Sequence, residues 1–443
     1  MDVLQTANQL TELASRAVDI ARAAGVDEAE AGASHDEGLS VTVRMGELES
    51  IERQQDRGLA ITVYKAGSKG SASTGDFSSD GLRMAVDKAV SIATFTTADK
   101  YAGLADAESM ATNIPDLDLY HPWAVDVAQA EDIALEAESA ARERDGRIDN
   151  SEGAVVSSGG GVRAYVNSHG FRGAYPTSSH STSVSVVARE GDALERDYWY
   201  SAARNPELLD EPASIGTEAA DRAVRRLGAR RLTTRTAPVV FVPELGRSLF
   251  GHLAAALRGT SQYRKASFLL DCVGDQVFPE AISIEEDPHI PGAFGSAPFD
   301  GEGVSTRRRD FIAAGAVQGY VLSAYSARRL GLPTTGNAGG THNLLVAPTA
   351  GDLASILKDC GEALLVTELL GQGVNIVTGD YSRGAAGFWV QGGEISHPVN
   401  EVTIAGNLRG MFQGIRAVGS DIDRRGSVHS GSVLIEAMTI AGD

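Results

Sequence analysis

Apolar residues recur at three- and four-residue spacing through the first segment, at Leu4, Ala7, Leu10, Ala14, Ala17, Val18 and Ala21. This is the stripe of an amphipathic helix, and Gly25 stops it. The period then changes to two. Leu39, Val41 and Val43 alternate with polar residues, as do Leu59, Ile61 and Val63, so an antiparallel meander is predicted with Gly46 and Gly58 at its turns. Asp80 stands where it would cap a second helix running to about Ala93, whose apolar face is Leu82, Ala85, Val86, Ala89 and Val90.

The same order then repeats. Residues 125–144 are Ala/Glu-rich and helical in pattern, residues 154–158, 162–167 and 182–189 read as strands, and residues 215–227 read as a helix. A pseudo-duplication of one helix, strands, helix unit accounts for this. A short basic and polar stretch, Gly228-Ala229-Arg230-Arg231-Leu232-Thr233-Thr234-Arg235, precedes the apolar run Val239-Val240-Phe241-Val242 and marks a boundary. Beyond it the pattern predicts a helix after Pro243-Glu244, a second near residues 352–357, and otherwise Gly-punctuated strands. The expected class is α+β: an N-terminal α/β region of two helix-strand subdomains, residues 1–120 and 121–234, then a mainly antiparallel β domain over residues 235–443.

Composition narrows the partners. Lys+Arg 39 against Asp+Glu 59 gives a net charge of −20, a field that repels phosphate backbones and anionic headgroups, so neither nucleic acid nor a membrane is expected. The two cysteines, Cys272 and Cys360, cannot form a disulfide framework and have no basic neighbour to activate them, which fits inert thiols in a reducing compartment. The first residues show neither a basic nor an apolar signal region, and no run approaches the ~18 apolar residues of a membrane span. A cytoplasmic location is expected. Fifty glycines against 14 prolines suit many tight turns and close backbone approaches.

The histidines offer no His-Glu-x-x-His or His-x-x-x-His pair, and no nucleophile elbow, phosphate-binding loop or dinucleotide fingerprint occurs. Gly159-Gly160-Gly161 and Gly336-Asn337-Ala338-Gly339-Gly340 are Gly-rich, but neither leads into a phosphate-binding helix with the required Lys. His252 lies in a helical stretch, residues 247–257, beside the stripe Leu249, Leu253, Leu257. With Ala255 and Ala256 one turn on, a structural histidine is the plainer reading. The segment from Asp380 to Trp389 is a polar tetrad followed by small residues and an aromatic pair. It reads either as the wall of a groove open to a peptide backbone or as a tight turn with a core Phe-Trp pair.

Several runs, in order, resemble the PmbA/TldE proteins of the TldD/PmbA peptidase family: residues 259–271, residues 325–331 with 335–340, Asp380 through Trp389, Ile404-Ala405-Gly406-Asn407-Leu408, and residues 431–434 with 438–442. The resemblance implies a strongly curved C-terminal sheet. It also implies a peptidase assembly in which a TldD-type chain pairs with a TldE-type chain to trim unfolded peptides and microcin-type precursors. In the TldD-type chain the helix matching residues 247–257 carries His-Glu-x-x-x-His, with a Cys ligand near the C-terminus. Here those positions hold Gly251, His252 and Ala256, and the region Arg425-Gly426-Ser427-Val428-His429 has no Cys. A zinc hydrolase needs about three protein ligands and a carboxylate base.

The resemblance therefore implies a chain with no catalytic residue and no metal of its own, active through a zinc-bearing TldD-type partner in a heterodimer and able to form a homodimer alone. Asn337, Gly339, Gly340, Tyr381, Ser382 and Arg383 are expected to face the cavity that receives a peptide, with Arg383 either binding a carboxylate or pairing with Asp380 to fix a turn. Two alternatives stand beside this: a self-sufficient peptidase or amidase in which His252, His289, His342, His397 or His429 gather around a metal, and a homodimeric peptide-binding protein.

Overall fold

Alternating polarity runs further than its clearest stretches suggest. In the computed structural model, which describes residues 2–442, helix α1 (Val3–Ala23) precedes three strands, β1 (Glu28–Arg44), β2 (Glu47–Lys65) and β3 (Ser68–Thr74), and then helix α2 (Ser79–Phe95). The unit recurs as α3 (Val127–Arg144), β4 (Ile148–Asn167), β5 (Arg172–Glu190), β6 (Ala193–Ala203) and α4 (Pro212–Arg225). The two copies share one antiparallel sheet of order β3-β2-β1-β4-β5-β6, joined where β1 pairs with β4 from Glu30↔Asn167 to Val43↔Ala154.

The structure departs from four of these expectations. Gly58 is no turn: it sits inside β2 opposite Ser34. The separate strands at 154–158 and 162–167 are one, because Gly159, Gly160 and Gly161 continue β4. A Cβ on Gly161 would lie 2.1 Å from Asp36 Oδ1, so glycine there serves close packing within the sheet. Helix α2 is capped by Ser78, whose Oγ accepts from the Gly81 N–H (3.1 Å), with Asp80 in the first turn instead. Leu4 is exposed rather than part of the buried stripe.

Each helix pair covers its own half of the sheet. Leu10, Ala14, Ala17 and Val18 of α1 and Leu82, Val86 and Ala89 of α2 pack on Leu59, Ile61 and Val63, while α3 and α4 cover Val41, Val43, Val156 and Val186. Small residues set the spacing. A Cβ on Gly216 of α4 would stand 2.0 Å from the Ala137 carbonyl of α3. Each fully buried Leu, Ile or Val contributes roughly 1.5–3 kcal/mol, so these faces fix the register of the whole sheet.

The C-terminal half opens with β7 (Arg235–Phe241), α5 (Pro243–Ala256) and α6 (Gly259–Tyr263). There follow β8 (Ile284–Asp287), β9 (Arg309–Ala313), β10 (Ala316–Val317), α7 (Ala324–Leu330), β11 (Asn343–Val346), α8 (Leu353–Cys360), β12 (Glu362–Leu370), β13 (Asp380–Gln391), β14 (Glu394–Asn407), α9 (Leu408–Gln413), β15 (Ile415–Val418), β16 (Val428–His429) and β17 (Val433–Ala441). One sheet has the order β10-β9-β8-β11-β16. The other, β14-β13-β12-β7-β17-β15, curls until β14 also pairs with β17 at Thr403↔Ala441. All pairings are antiparallel except β7 with β12 and β11 with β16. Leu249, Phe250, Leu253 and Ala256 of α5 are buried in the core between these sheets. The fold is α+β with a curled, mainly antiparallel C-terminal region. Among the described residues no helix is long and apolar enough to cross a membrane.

Candidate functional site

Helix α5 begins with Pro243 at its first position and Glu244 in its first turn, both favourable at a helix N-terminus. Its inner stripe is anchored in the core, which fixes how the intervening positions face. Gly251 is exposed, and a Cβ there would meet nothing within 4 Å; Ala256 is fully buried. His252 lies between them, half-buried, with its ring edge-on to Tyr381 of β13 at 6.2 Å.

Among the described residues, three polar atoms around this helix and strand have no partner: His252 Nε2, Tyr381 Oη and Arg383 Nε are each buried and unbonded. A buried polar atom left so costs about 1–3 kcal/mol. Burial, and then the Arg383 charge, lowers the His252 pKa, so the imidazole is neutral at pH 7. Burial pushes the Tyr381 phenol up to about 12, against a smaller opposing pull from Arg383. Arg383 Nη2 donates to the Leu369 carbonyl (3.4 Å). The turn-fixing pair with Asp380 is not formed, since Asp380 accepts from Thr378 Oγ1 (2.6 Å) and Asn407 Nδ2 (3.4 Å).

This donor set does not fit a zinc ion. Gly251 and Ala256 offer no ligand atom, and among the described residues no three His, Cys, Asp or Glu side chains converge as metal ligands do. The region of the expected fourth ligand is committed elsewhere: the Arg425 guanidinium lies 4.3 Å over Trp199 and 4.4 Å over Tyr200, and its Nε donates to Asp423 Oδ1 (2.9 Å). The five histidines do not gather. His289 bonds Thr306, His342 donates to the Gly336 carbonyl, His397 meets Ser396, His429 donates to the Gly426 carbonyl, and His252 alone touches Tyr381. Burial raises both thiols, that of Cys272 to about 11.

A second feature is a cleft of about 580 Å³ between the N-terminal sheet and C-terminal loops. Gly32, Ala33 and Ser34 of β1 form one wall with Tyr165 and Tyr175, and Ala338, Gly339 and Gly340 form the other. Small residues there leave backbone accessible. Of the six residues expected to meet a peptide, Gly339 and Gly340 line this cleft. Asn337 does not: it is 4% exposed, its Nδ2 donating to Glu286 Oε1 (2.7 Å) and the Gly340 carbonyl (3.0 Å) while its Oδ1 accepts from Thr335 and Arg309. Tyr381 is 1% exposed and belongs to the core, Ser382 is exposed on β13, and Arg383 joins Tyr381 and His252. Tyr381 is buried because the whole Asp380 to Trp389 segment is strand, with Tyr381, Ala385 and Trp389 on its core face.

Carboxylates that sequence reasoning missed lie behind the cleft. Glu30 accepts from Tyr64 Oη (3.0 Å) and Tyr165 Oη (2.6 Å), joining β1, β2 and β4. Glu302, whose Oε2 accepts from the Ala324 N–H (2.8 Å), is pushed up to about 7, chiefly by burial and further by Asp300 and Glu30, with the Ala324 N–H and then Lys69 opposing. Their long sequence separation left no local signal. A folded-state pKa raised from 4.5 means that Glu302 favours the fold below about pH 4.5 and loses that contribution as pH rises through 7. The loss is up to about 3 kcal/mol. Glu302→Gln should therefore flatten the fall in stability between pH 5 and 7.5, and denaturant midpoints with the wild-type slope in the variant would refute this.

Three stretches of the chain match family domains: residues 29–93 the PmbA/TldA metallopeptidase domain 1, residues 120–227 the central domain, and residues 234–442 the C-terminal domain. The chain is 46% identical over 433 residues to Metalloprotease PmbA of Escherichia coli O157:H7, covering 98% of this chain and 96% of that protein. It is 45% identical over 436 residues to the PmbA homolog of Haemophilus influenzae, with the same coverage. Its fold matches that of TldE from Thermococcus kodakarensis with a TM-score of 0.82 at 21% identity, over 97% of this chain and 100% of that one. A Bacteroides thetaiotaomicron chain, described as a candidate modulator of DNA gyrase, superimposes with a TM-score of 0.92 at 25% identity, over 98% of each chain.

Proposed function

The chain belongs to the PmbA/TldA metallopeptidase family, and on that premise we propose that it is the TldE-type, metal-free subunit of a heteromeric peptidase. Its TldD-type partner holds the zinc and supplies the carboxylate base. Together they trim unfolded peptides and peptide precursors of the microcin type in the cytoplasm, and this chain forms a homodimer when its partner is absent. Its own role is to receive and align the peptide.

One observation supports the reading above others: the helix position that should carry two ligands and a base carries Gly251, His252 and Ala256 in a fold that is otherwise complete. The cleft walled by Gly339 and Gly340 supports the peptide-handling half, since small residues admit a main chain closely. Exposed Leu370 and Val377 on the C-terminal half, 52% each, supply apolar surface for a subunit contact there.

Protein purified alone should contain no stoichiometric transition metal and show no chelator-sensitive hydrolysis of an unfolded peptide. Gly251→His with Ala256→His should not create an enzyme, because the base and a further ligand are still missing. It should also cost about 1–3 kcal/mol, since Ala256 is fully buried and an imidazole overfills its place. A stoichiometric metal in the wild-type protein, with hydrolysis abolished by chelation, would overturn the proposal.

A further inference from the structure

We propose that His252, Tyr381 and Arg383 frame a carboxylate-binding subsite between α5 and β13, one that takes a peptide's C-terminal carboxylate or an acidic side chain. The inference deepens the reading of this chain as a peptide-handling subunit and rests on it.

Tyr381 is the anchor. Its side chain is 1% exposed, yet its Oη has no partner, and the two neighbouring polar atoms, His252 Nε2 and Arg383 Nε, are unbonded as well. Buried polar groups are nearly always paired, so three orphans on one helix-strand contact mark a place built for a polar group that comes from outside. The charge balance defines that group. Arg383 is a fixed cation, and among the described residues it forms no ion pair; His252 is neutral and the Tyr381 phenol is un-ionised at pH 7. One positive charge with one phenol donor and a planar guanidinium matches a single carboxylate, whose two oxygens accept from both. Asp380 does not fill the role, being bonded to Thr378 and Asn407.

Solvent lies close by on both elements: Gly251, on the same turn as His252, faces free space, and Ser382 beside Arg383 is exposed.

The test uses the full chain and a fluorescein-labelled peptide of Gly, Ala, Ser and Val, read by anisotropy in three forms: free C-terminus, amidated C-terminus, and amidated with one internal Glu. The free form should bind roughly tenfold tighter than the amidated one. Arg383→Gln should abolish that ratio and Tyr381→Phe should reduce it, with thermal midpoints recorded for both. Recovery of affinity by the internal Glu assigns the site to acidic side chains, and no recovery assigns it to the chain terminus. If Arg383→Gln fails to fold, competition by acetate against the free-terminus peptide on wild-type protein, and its loss in Tyr381→Phe, carries the test. Equal binding of free and amidated peptides, or no binding of any form, overturns the subsite. Neither result bears on the metal-free reading, which stands or falls on metal content and hydrolysis.

Discussion

Glu286→Ala will lower the stability of the C-terminal half by about 3–5 kcal/mol and free the loop that walls the cleft, because the substitution leaves a buried cation unpaired. The Glu286 carboxylate is 1% exposed and takes three donors: Arg309 Nε (2.6 Å), Asn337 Nδ2 (2.7 Å) and the His342 N–H (2.8 Å). Those last two bracket Gly339 and Gly340, whose φ values of 108° and 136° are conformations that a side chain resists. The carboxylate is thus the peg on which this glycine loop hangs. Denaturant titration should show the lowered midpoint, and limited proteolysis should cut the variant near residues 336–342 while sparing the wild type. Glu286→Gln keeps one acceptor and should lose less. A Glu286→Ala protein with wild-type midpoint and protection would show that the loop is held by other contacts.

A comparable loss is expected at Asp197→Ala, for a different reason. Asp197 is 5% exposed and accepts from Arg222 Nε (3.2 Å) and Arg226 Nη1 (3.3 Å), two guanidinium groups of or just beyond α4 that lie in the interior. Arg222 also donates to Glu244 of α5 (3.0 Å), and Arg226 pairs with Glu368 of β12, so the network ties the N-terminal sheet to the C-terminal half. Removing the shared anion leaves two neighbouring buried cations whose remaining partners are Glu244, Glu195 and Glu368, so the cost is bounded by the about 3–5 kcal/mol of a fully unpaired buried charge. Adding Arg222→Leu should recover part of that loss by removing one of the two mutually repelling charges. Wild-type thermal midpoints in Asp197→Ala, or no recovery in the double variant, would mean that the network is solvated rather than buried.

What the chain discloses without its fold follows the range of the forces involved. Helices α1 to α4 were legible because each repeats small and apolar residues on one face, and the duplicated order was legible with them. The strands were read short. Runs such as His35-Asp36-Glu37 and Gly159-Gly160-Gly161 carry no apolar alternation, yet they pair across β1 and β4. Helix α7 was missed although it carries a readable signal, the reciprocal Ser323–Ser326 capping box and Gly331 at φ 68°. At the site, the absence of a histidine at 251 and 256 and of a carboxylate at 252 was plain in the sequence. The burial of Tyr381 was not, because Asp, Ser and Arg beside it suggest surface while strand alternation sends only every second residue inward. The pairs Arg226–Glu368 and Glu30–Tyr165 lie 142 and 135 residues apart, and no local pattern encodes them.

The proposed role of this chain is to align peptide and leave the chemistry to a partner. Its most direct test is hydrolysis of an unfolded peptide by this chain, by the TldD-type chain of the same organism, and by the two co-purified, each with and without chelator. Chelator-sensitive cleavage that appears with the pair and never with this chain alone is the predicted result. Chelator-sensitive cleavage by this chain alone, undiminished when the partner is left out, would contradict it.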